Sequence, residues 1–334
     1  MPRFSVVVSA HDAPGGPAAR TLDSVLAQPF GDVELIAVCD EPGTPSGRLV
    51  AALAERDGRV RAAHCPPRAG AGAARTTGMR EAAGAHLLFL DGGDLLLPGA
   101  LAALDARLRQ TGPVDVLHFG YEREGTGPRP HPLPPAPAAA FAPDAAPHLT
   151  AVNRPVCGAA YRRGFLTVHQ LAFPYGDFAD VGWGGLVTVL AGRLAVLDSA
   201  VVRRGPAGRG PGDRLALLDQ VELVLSWAAA EELSAGRSYA LFDQLFAAVL
   251  RALPGVTSPR ERRIFFHRAR ALYRRHRPVG HRAPDVRRRL LAAGAYPALR
   301  AADRLAARTA GPGGKPARYA YRAVATAARS MRSV

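Results

Sequence analysis

The chain begins with an apolar run, "FSVVVSA" (4–10), too short for a helix and with too few polar positions for a half-exposed strand. Such a run predicts a strand covered on both faces. From Pro17 to Gln28, Ala18, Leu22, Val25 and Leu26 share one helical face. "VELIAVC" (33–39) predicts a second buried strand, Pro45 to Arg56 a helix, and "RVRAAH" (59–64) a weaker third strand. Gly72 to Ala83 is predicted helical. "HLLFLD" (86–91) gives a fourth strand. Pro98 to Arg109 gives a helix with proline suitably at its start, and "VDVLHFGY" (114–121) a fifth strand. Strands and helices alternate, which predicts a parallel sheet with helices on its faces.

Beyond residue 123 the pattern changes. Residues 124–147 are rich in Pro, Ala and Gly and read as a flexible connection, poor in hydrogen-bond donors and apolar anchors. Structure resumes over 148–210, where "GRLAVLDSAVVRR" (192–204) reads as strand with a turn. From 211 to 310 everything reads as helix. Leu241, Leu245, Val249 and Leu253 form an apolar stripe, and arginines stud the segments 259–277 and 285–309. Residues 311–334 have a Gly/Pro break followed by a short basic helix. The organisation predicted is therefore 1–123 and 148–210 as two halves of one α/β domain, a helical extension over 211–310 and a basic tail.

Charge divides the chain further. The formal net charge is +15, yet residues 1–100 hold nine arginines against eleven acids. Residues 260–334 hold nineteen arginines and one lysine against three acids, so the surplus belongs to that segment. Its few interleaved aromatics match no nucleic-acid-binding signature, and no nucleic acid is expected as partner. An anionic membrane surface is the candidate partner for residues 260–334. Cys39, Cys65 and Cys157 are odd in number and lack metal-ligand spacing, which predicts a reducing compartment and no disulfide framework. Cys39 reads as a small buried apolar residue. No leader and no membrane span are expected, so the predicted location is cytoplasmic, with peripheral attachment to the inner face of the membrane through the basic segment.

In a parallel α/β sheet, ligands sit beyond the carboxyl ends of the strands. Those ends carry Ser9, His11 and Asp12 after the first strand, Asp40 and Glu41 after the second, Arg68 and Arg75 after the third, and Asp91 and Asp94 after the fourth. Each has an ordinary reading too. Asp91–Asp94 can be a Gly-rich connection with an acid near a helix start. Asp40 can be a turn residue, His11 a loop histidine, Arg75 a packing partner of Glu81, and Asp180 a surface acid near Trp183. "GAGAAR" (70–75) fails as a dinucleotide fingerprint, because Arg75 replaces the third glycine and the loop follows the third strand.

Residues 3–110 carry, in order, "FSVVVSAHDA", "TLDSVLAQPFGDVELIAVCD", "DGRVRAAH" and "GAGAARTTGMREAAGAHLLFLDGGDLLLPGAL". This ordered string resembles the family-2 glycosyltransferases. "AYRRGFL" followed by "FPYGDFADVGW" is similar to their acceptor half, and the helical segment to that of actinobacterial transferases of teichoic-acid-type synthesis. The resemblance implies a GT-A-like fold: α/β, a mostly parallel sheet flanked by helices, here with a C-terminal helical extension. It also implies a nucleotide-diphosphate sugar as donor and a hydroxyl of an envelope polymer or lipid-linked acceptor, with inversion at the sugar carbon.

On that resemblance Asp40 reads the base, with Ser9 and His11 beside it. Arg75 and Asp91 position ribose or diphosphate, Asp91 and Asp94 hold a divalent cation (Mg²⁺ or Mn²⁺), and Asp180 is the catalytic base. Three departures stand out: Cys39 replaces the first of two acids, Gly93 replaces the usual metal-ligating acid, and Ala179 replaces the acid before Asp180. They support an alternative, a catalytically impaired relative acting as a scaffold in envelope-polymer synthesis.

Overall fold

The computed structural model describes residues 1–11, 16–39, 41–66, 69–125, 133, 135–150, 154–205 and 213–309, with side chains to Arg304. Asp12, Asp40 and Arg68, and the tail 311–334, lie outside the described residues. The chain parts into two compact units, 1–212 and 213–334.

In the first unit, strands β1 (Phe4–Ser9), β2 (Val33–Cys39), β3 (Val60–His64) and β4 (His86–Asp91) alternate with helices α1 (Pro17–Leu26), α2 (Pro45–Arg56) and α3 (Gly70–Glu81). There follow β5 (Leu95–Leu96), α4 (Ala100–Thr111), β6 (Val116–Arg123), α5 (Pro147–Thr150), β7 (Ala159–Arg162), α6 (Arg163–Val168), α7 (Ala179–Leu190) and β8 (Leu194–Arg204). One eight-stranded sheet has the order β3-β2-β1-β4-β7-β6-β8-β5. The first four strands are mutually parallel. β7 runs antiparallel to β4 and β6, β8 is parallel to β6, and β5 is antiparallel to β8.

The expected α/β architecture is present, with a mixed sheet in place of a simple parallel run. The short β5 and β7 account for the difference. Two and four residues are too few to show a hydrophobic period, and β7 separates β4 from β6. Residues 194–204 form one strand, with register shifts against β6 around Gly120 in place of the predicted turn. The connection 124–147 is less bare than predicted: the buried Phe141 exchanges backbone hydrogen bonds with Leu194 at 2.9 and 2.7 Å.

β1 and β2 are buried along their whole length, as their unbroken apolar runs require, whereas β3, at the edge, buries only Val60 and Ala63. Phe4, Val6 and Val8 face a core shared with Leu22 and Val25 of α1 and Leu101 and Leu104 of α4. Val7 points the other way, to α3. A β-carbon on Gly78 would lie 2.2 Å from Val7 Cγ1, so glycine lets the helix seat closely on the strand. At the opposite end of these strands from the candidate site, buried Glu34 joins three segments. Its Oε1 accepts from Ser5 Oγ at 2.6 Å and from the Ala83 and Gly84 amides at 2.7 and 3.0 Å.

The second unit holds α8 (Arg214–Ala229), α9 (Ala235–Ala252), α10 (Pro259–His276), α11 (Val286–Ala293) and α12 (Tyr296–Thr309). Asp213, Ser234, Ser258 and Asp285 cap α8 to α11 by accepting a backbone amide. The stripe Leu241, Leu245, Val249 and Leu253 is buried, as are Phe265, Leu272 and Tyr273, while Ile264 is exposed. Several arginines of the basic segment serve the unit itself. Arg268 pairs with Asp219, Arg275 with Glu222, Arg287 with Asp303, and the buried Arg288 with Asp243 and Asp285. Among the described residues, no helix is long and apolar enough to cross a membrane.

Candidate active site

The strand order places a topological switch between β1 and β4. The chain leaves β1 toward β2 and β3 on one side, then returns to β4 on the other. Helices diverge at such a point and leave a crevice beyond the strand ends. The register puts Ser9 directly opposite Asp91 there. Ser9 Oγ donates to Asp91 Oδ1 at 2.9 Å. Arg75, on the second turn of α3, reaches the same carboxylate, with one terminal nitrogen 2.7 and 2.9 Å from its two oxygens. Arg75 is 6% exposed, and its guanidinium lies 5.4 Å from the centre of the Phe173 ring. The Asp91 side chain is 43% exposed, so the pair is sealed on the arginine side and open on the carboxylate side. The surrounding protein pushes the Asp91 pKa up. Arg75, Ser9 and the charge of Arg204 outweigh that and hold it below the usual carboxylate range.

Asp94 is placed differently from the predicted role. It is buried, and both oxygens are taken by backbone amides: Oδ1 by Gly205 at 3.0 Å and Oδ2 by Asp91 at 3.3 Å. Burial and the neighbouring Asp91 push it up to about 6. Gly93, between them, has φ +110°, a region in which residues with side chains are strained. Its amide donates to Thr21 Oγ1 at 2.8 Å. The Gly205 backbone packs so closely on this turn that a β-carbon there would meet the Gly93 carbonyl at 2.6 Å.

Asp180 lies in the first turn of α7, half-buried, where an acid favours the helix dipole. Its charge is felt by Arg75, which brings it electrostatically to the same cluster. The neighbouring position explains itself. Ala179 is buried, and a β-carbon on Gly72 of α3 would lie 2.9 Å from the Ala179 methyl. Thr76, next to Arg75, accepts the Phe173 amide at 3.0 Å, and Phe173 stacks on Trp183 of α7 with ring centres 3.9 Å apart. α3 and the 173–183 segment therefore interlock, which fixes Asp180 near Arg75.

His11 follows β1 and is half-buried at the same sheet edge. Cys39 is fully buried, with Sγ 3.2 Å from His64 Nδ1, and burial pushes the Cys157 thiol up. The arrangement brings together Ser9, Arg75, Asp91, Asp94 and Asp180. Asp40 is not placed.

The divalent cation expected from the resemblance does not fit the side chains in place. Asp94 is buried with each oxygen accepting an amide, Asp91 has only its open side left beyond Arg75 and Ser9, and position 93 has neither a carboxylate nor a backbone that suits one, so a single carboxylate face would be left to hold the ion. Among the described residues, no three His, Cys, Asp or Glu side chains are grouped as metal ligands.

One residue escaped the sequence reading. Arg204, the last residue of β8, lies with its guanidinium 5.8 Å from the centre of the Tyr121 ring and bears electrostatically on both Asp91 and Asp94. Its signal was an arginine ending a strand just before "GP". The strand-end rule applied there too, because β8 runs parallel to β6.

Residues 5–168 match the glycosyl transferase family 2. They are a family-2 glycosyltransferase domain. The chain is 33% identical over 131 residues to the uncharacterized glycosyltransferase EpsJ of Bacillus subtilis (strain 168), a match covering 39% of this chain and 37% of EpsJ. It thus spans little more than a third of that relative's length. The S. aureus TarS 1–349 structure in complex with UDP-GlcNAc superposes with a TM-score of 0.71 at 16% identity, covering 99% of this chain and 92% of that one. Its complex with UDP gives 0.67 over the same coverage. These likenesses confirm the GT-A fold. The match of the family-2 domain runs from the second residue of β1 to the end of α6, so it includes Ser9, Arg75, Asp91 and Asp94 and ends before Asp180.

Proposed function

We propose that this protein transfers a sugar from a nucleotide-diphosphate donor to a hydroxyl of a cell-envelope acceptor, with inversion. The observation that carries the reading is the Ser9–Asp91–Arg75 cluster at the switch point of a family-2 domain. Arg75 and Ser9 orient an open carboxylate toward the crevice, where Asp91 accepts hydrogen bonds from ribose hydroxyls. The nucleoside lies along the ends of β1 and β2, near His11. The acceptor oxygen attacks the anomeric carbon from the face opposite the departing phosphate oxygen. As the new C–O bond forms, the old one breaks, the nucleoside diphosphate leaves, and the acceptor proton passes to Asp180. TarS, which has the same fold, was solved with UDP-GlcNAc and with UDP, which supports a nucleotide-sugar as ligand.

The test is calorimetric titration with UDP, GDP, ADP and CDP, followed by transfer of labelled sugar from the matching donor into envelope polymer and lipid-linked fractions. Asp180→Asn keeps the side chain's shape and removes the proton acceptor. Donor binding within about twofold of wild type with transfer down at least about a hundredfold is expected for loss of a general base. Full transfer by that variant would place the base elsewhere. Ala179 and Gly93 favour the second reading, a nucleotide-binding scaffold without transfer. That reading predicts a nucleoside diphosphate bound by the wild type with no label incorporated.

A further inference from the structure

The proposed reaction expels a diphosphate that gains negative charge, and something cationic must face it. Arg75 is already matched by Asp91. Position 93, where the resemblance expects a metal-ligating acid, is a left-handed glycine hydrogen-bonded to Thr21. Beyond Asp91 along the same turn stands the end of β8. It is anchored there by the Gly205 amide on Asp94 and by the close approach of Gly205 to Gly93. Arg204 immediately precedes that anchor. Its Nε is buried and makes no hydrogen bond, and its guanidinium lies against the Tyr121 ring. A buried guanidinium donor without an acceptor costs free energy unless an anion meets it.

We infer that Arg204 supplies, as a fixed side-chain cation, the positive charge that faces the diphosphate of the donor, in place of a metal held at position 93. The inference rests on the nucleotide-sugar reading above and deepens it. Arginine suits the role, because its planar donor fork matches phosphate oxygens and its charge does not depend on pH in the working range. Tyr121 and the Gly205 anchor limit its swing, so the charge is positioned before the donor arrives. No metal enters this arrangement, and binding of the diphosphate should be indifferent to chelation.

The experiment is titration of UDP and UMP, at fixed ionic strength, into the full chain and its Arg204→Ala and Arg204→Lys variants, with EDTA or with MnCl₂. The wild type should bind UDP equally in both conditions. Arg204→Ala should weaken UDP about ten- to a hundredfold, the loss of one or two charge-assisted hydrogen bonds. UMP should weaken much less, and Arg204→Lys should recover part of the UDP affinity. Thermal melting of both variants within a few degrees of wild type verifies the fold.

UDP binding that EDTA abolishes and manganese restores would overturn this inference and leave the nucleotide-sugar reading standing. So would an Arg204→Ala variant with wild-type UDP affinity, or an equal loss for UMP and UDP. Failure of UDP, GDP, ADP and CDP to bind under either condition would overturn both.

Discussion

Asp91 and Arg75 form a half-buried ion pair whose two members sit in different surroundings. Asp91→Asn keeps the shape and leaves the Arg75 charge buried and unmatched. Removing one partner of a fully buried pair costs several kcal/mol, and the open side of Asp91 reduces that here to about 1–3 kcal/mol. Denaturant unfolding should show that loss together with weaker nucleotide binding; an unchanged midpoint would mean that Arg75 finds another acceptor. Two buried histidines contribute to the pH response of the first unit. Burial holds His86 down to about 4, reinforced by Arg3 and Arg162 and opposed by Asp105. Burial holds His118 down to about 3, reinforced by Arg154. Both are bases with depressed folded pKa values, so between their ordinary value of 6.5 and these limits the unfolded chain binds more protons. Their contribution to stability is then full above about pH 6.5 and falls as the pH drops toward 4, by up to about 1.4 kcal/mol per unit for each group, while the raised carboxyl of Asp94 works in the opposite sense up to about pH 6. His86→Phe should flatten the slope of melting temperature against pH in that window. An equal slope in both proteins would assign the acid sensitivity elsewhere.

The interlock of α3 with its neighbours decides whether these residues meet. Gly78 seats the helix on Val7 of β1, and Gly72 seats it against Pro174 and Ala179. Gly78→Ala should raise helix propensity and yet destabilise, because its methyl collides with Val7. A loss of about 1–3 kcal/mol is expected from overpacking, measured by chemical denaturation, and Val7→Ala in the same chain should recover part of it. A stabilised single variant would show that α3 can shift without cost. Most helices and long strands were legible in the sequence, because apolar positions at period 3.6 and unbroken apolar runs are the physical cause of their burial. β5 and β7 were not legible. They are short strands held by neighbours distant in the chain, with no local pattern of their own. For the site, Ser9, Arg75, Asp91 and Asp180 could be found from the strand-end rule and the resemblance. The true situation of Asp94 could not, because its partner Gly205 lies 111 positions away. Arg204 was hidden for the same reason, since only the end of β8 docking on the 91–94 turn gives it meaning.

Across the whole molecule, charge is divided between a near-neutral start and a basic final quarter. Internal ion pairs account for part of that basic charge. Arg260, Arg263, Arg274, Arg277, Arg282 and Arg289 remain exposed. At about 1 kcal/mol for each basic residue near an anionic surface, even a few of these would support peripheral attachment. Co-sedimentation with anionic vesicles should be strong at low salt and fade as added salt shortens the Debye length from about 30 to 8 Å. Deleting residues 311–334 removes five of the twenty basic residues after position 259 and should weaken binding only in part. Equal binding to neutral vesicles, or none to anionic ones at low salt, would leave the arginines as structure alone.

The contact between Gly93 and Gly205 also limits what a substitution at position 93 can do. An acid placed at 93 would inherit a left-handed backbone and start with a handicap of about 1–3 kcal/mol. Relieving that strain means reshaping the turn, which means moving the end of β8, and with it Arg204. Gly93→Asp alone would therefore carry that strain, and relieving it would displace the cation that we propose faces the diphosphate.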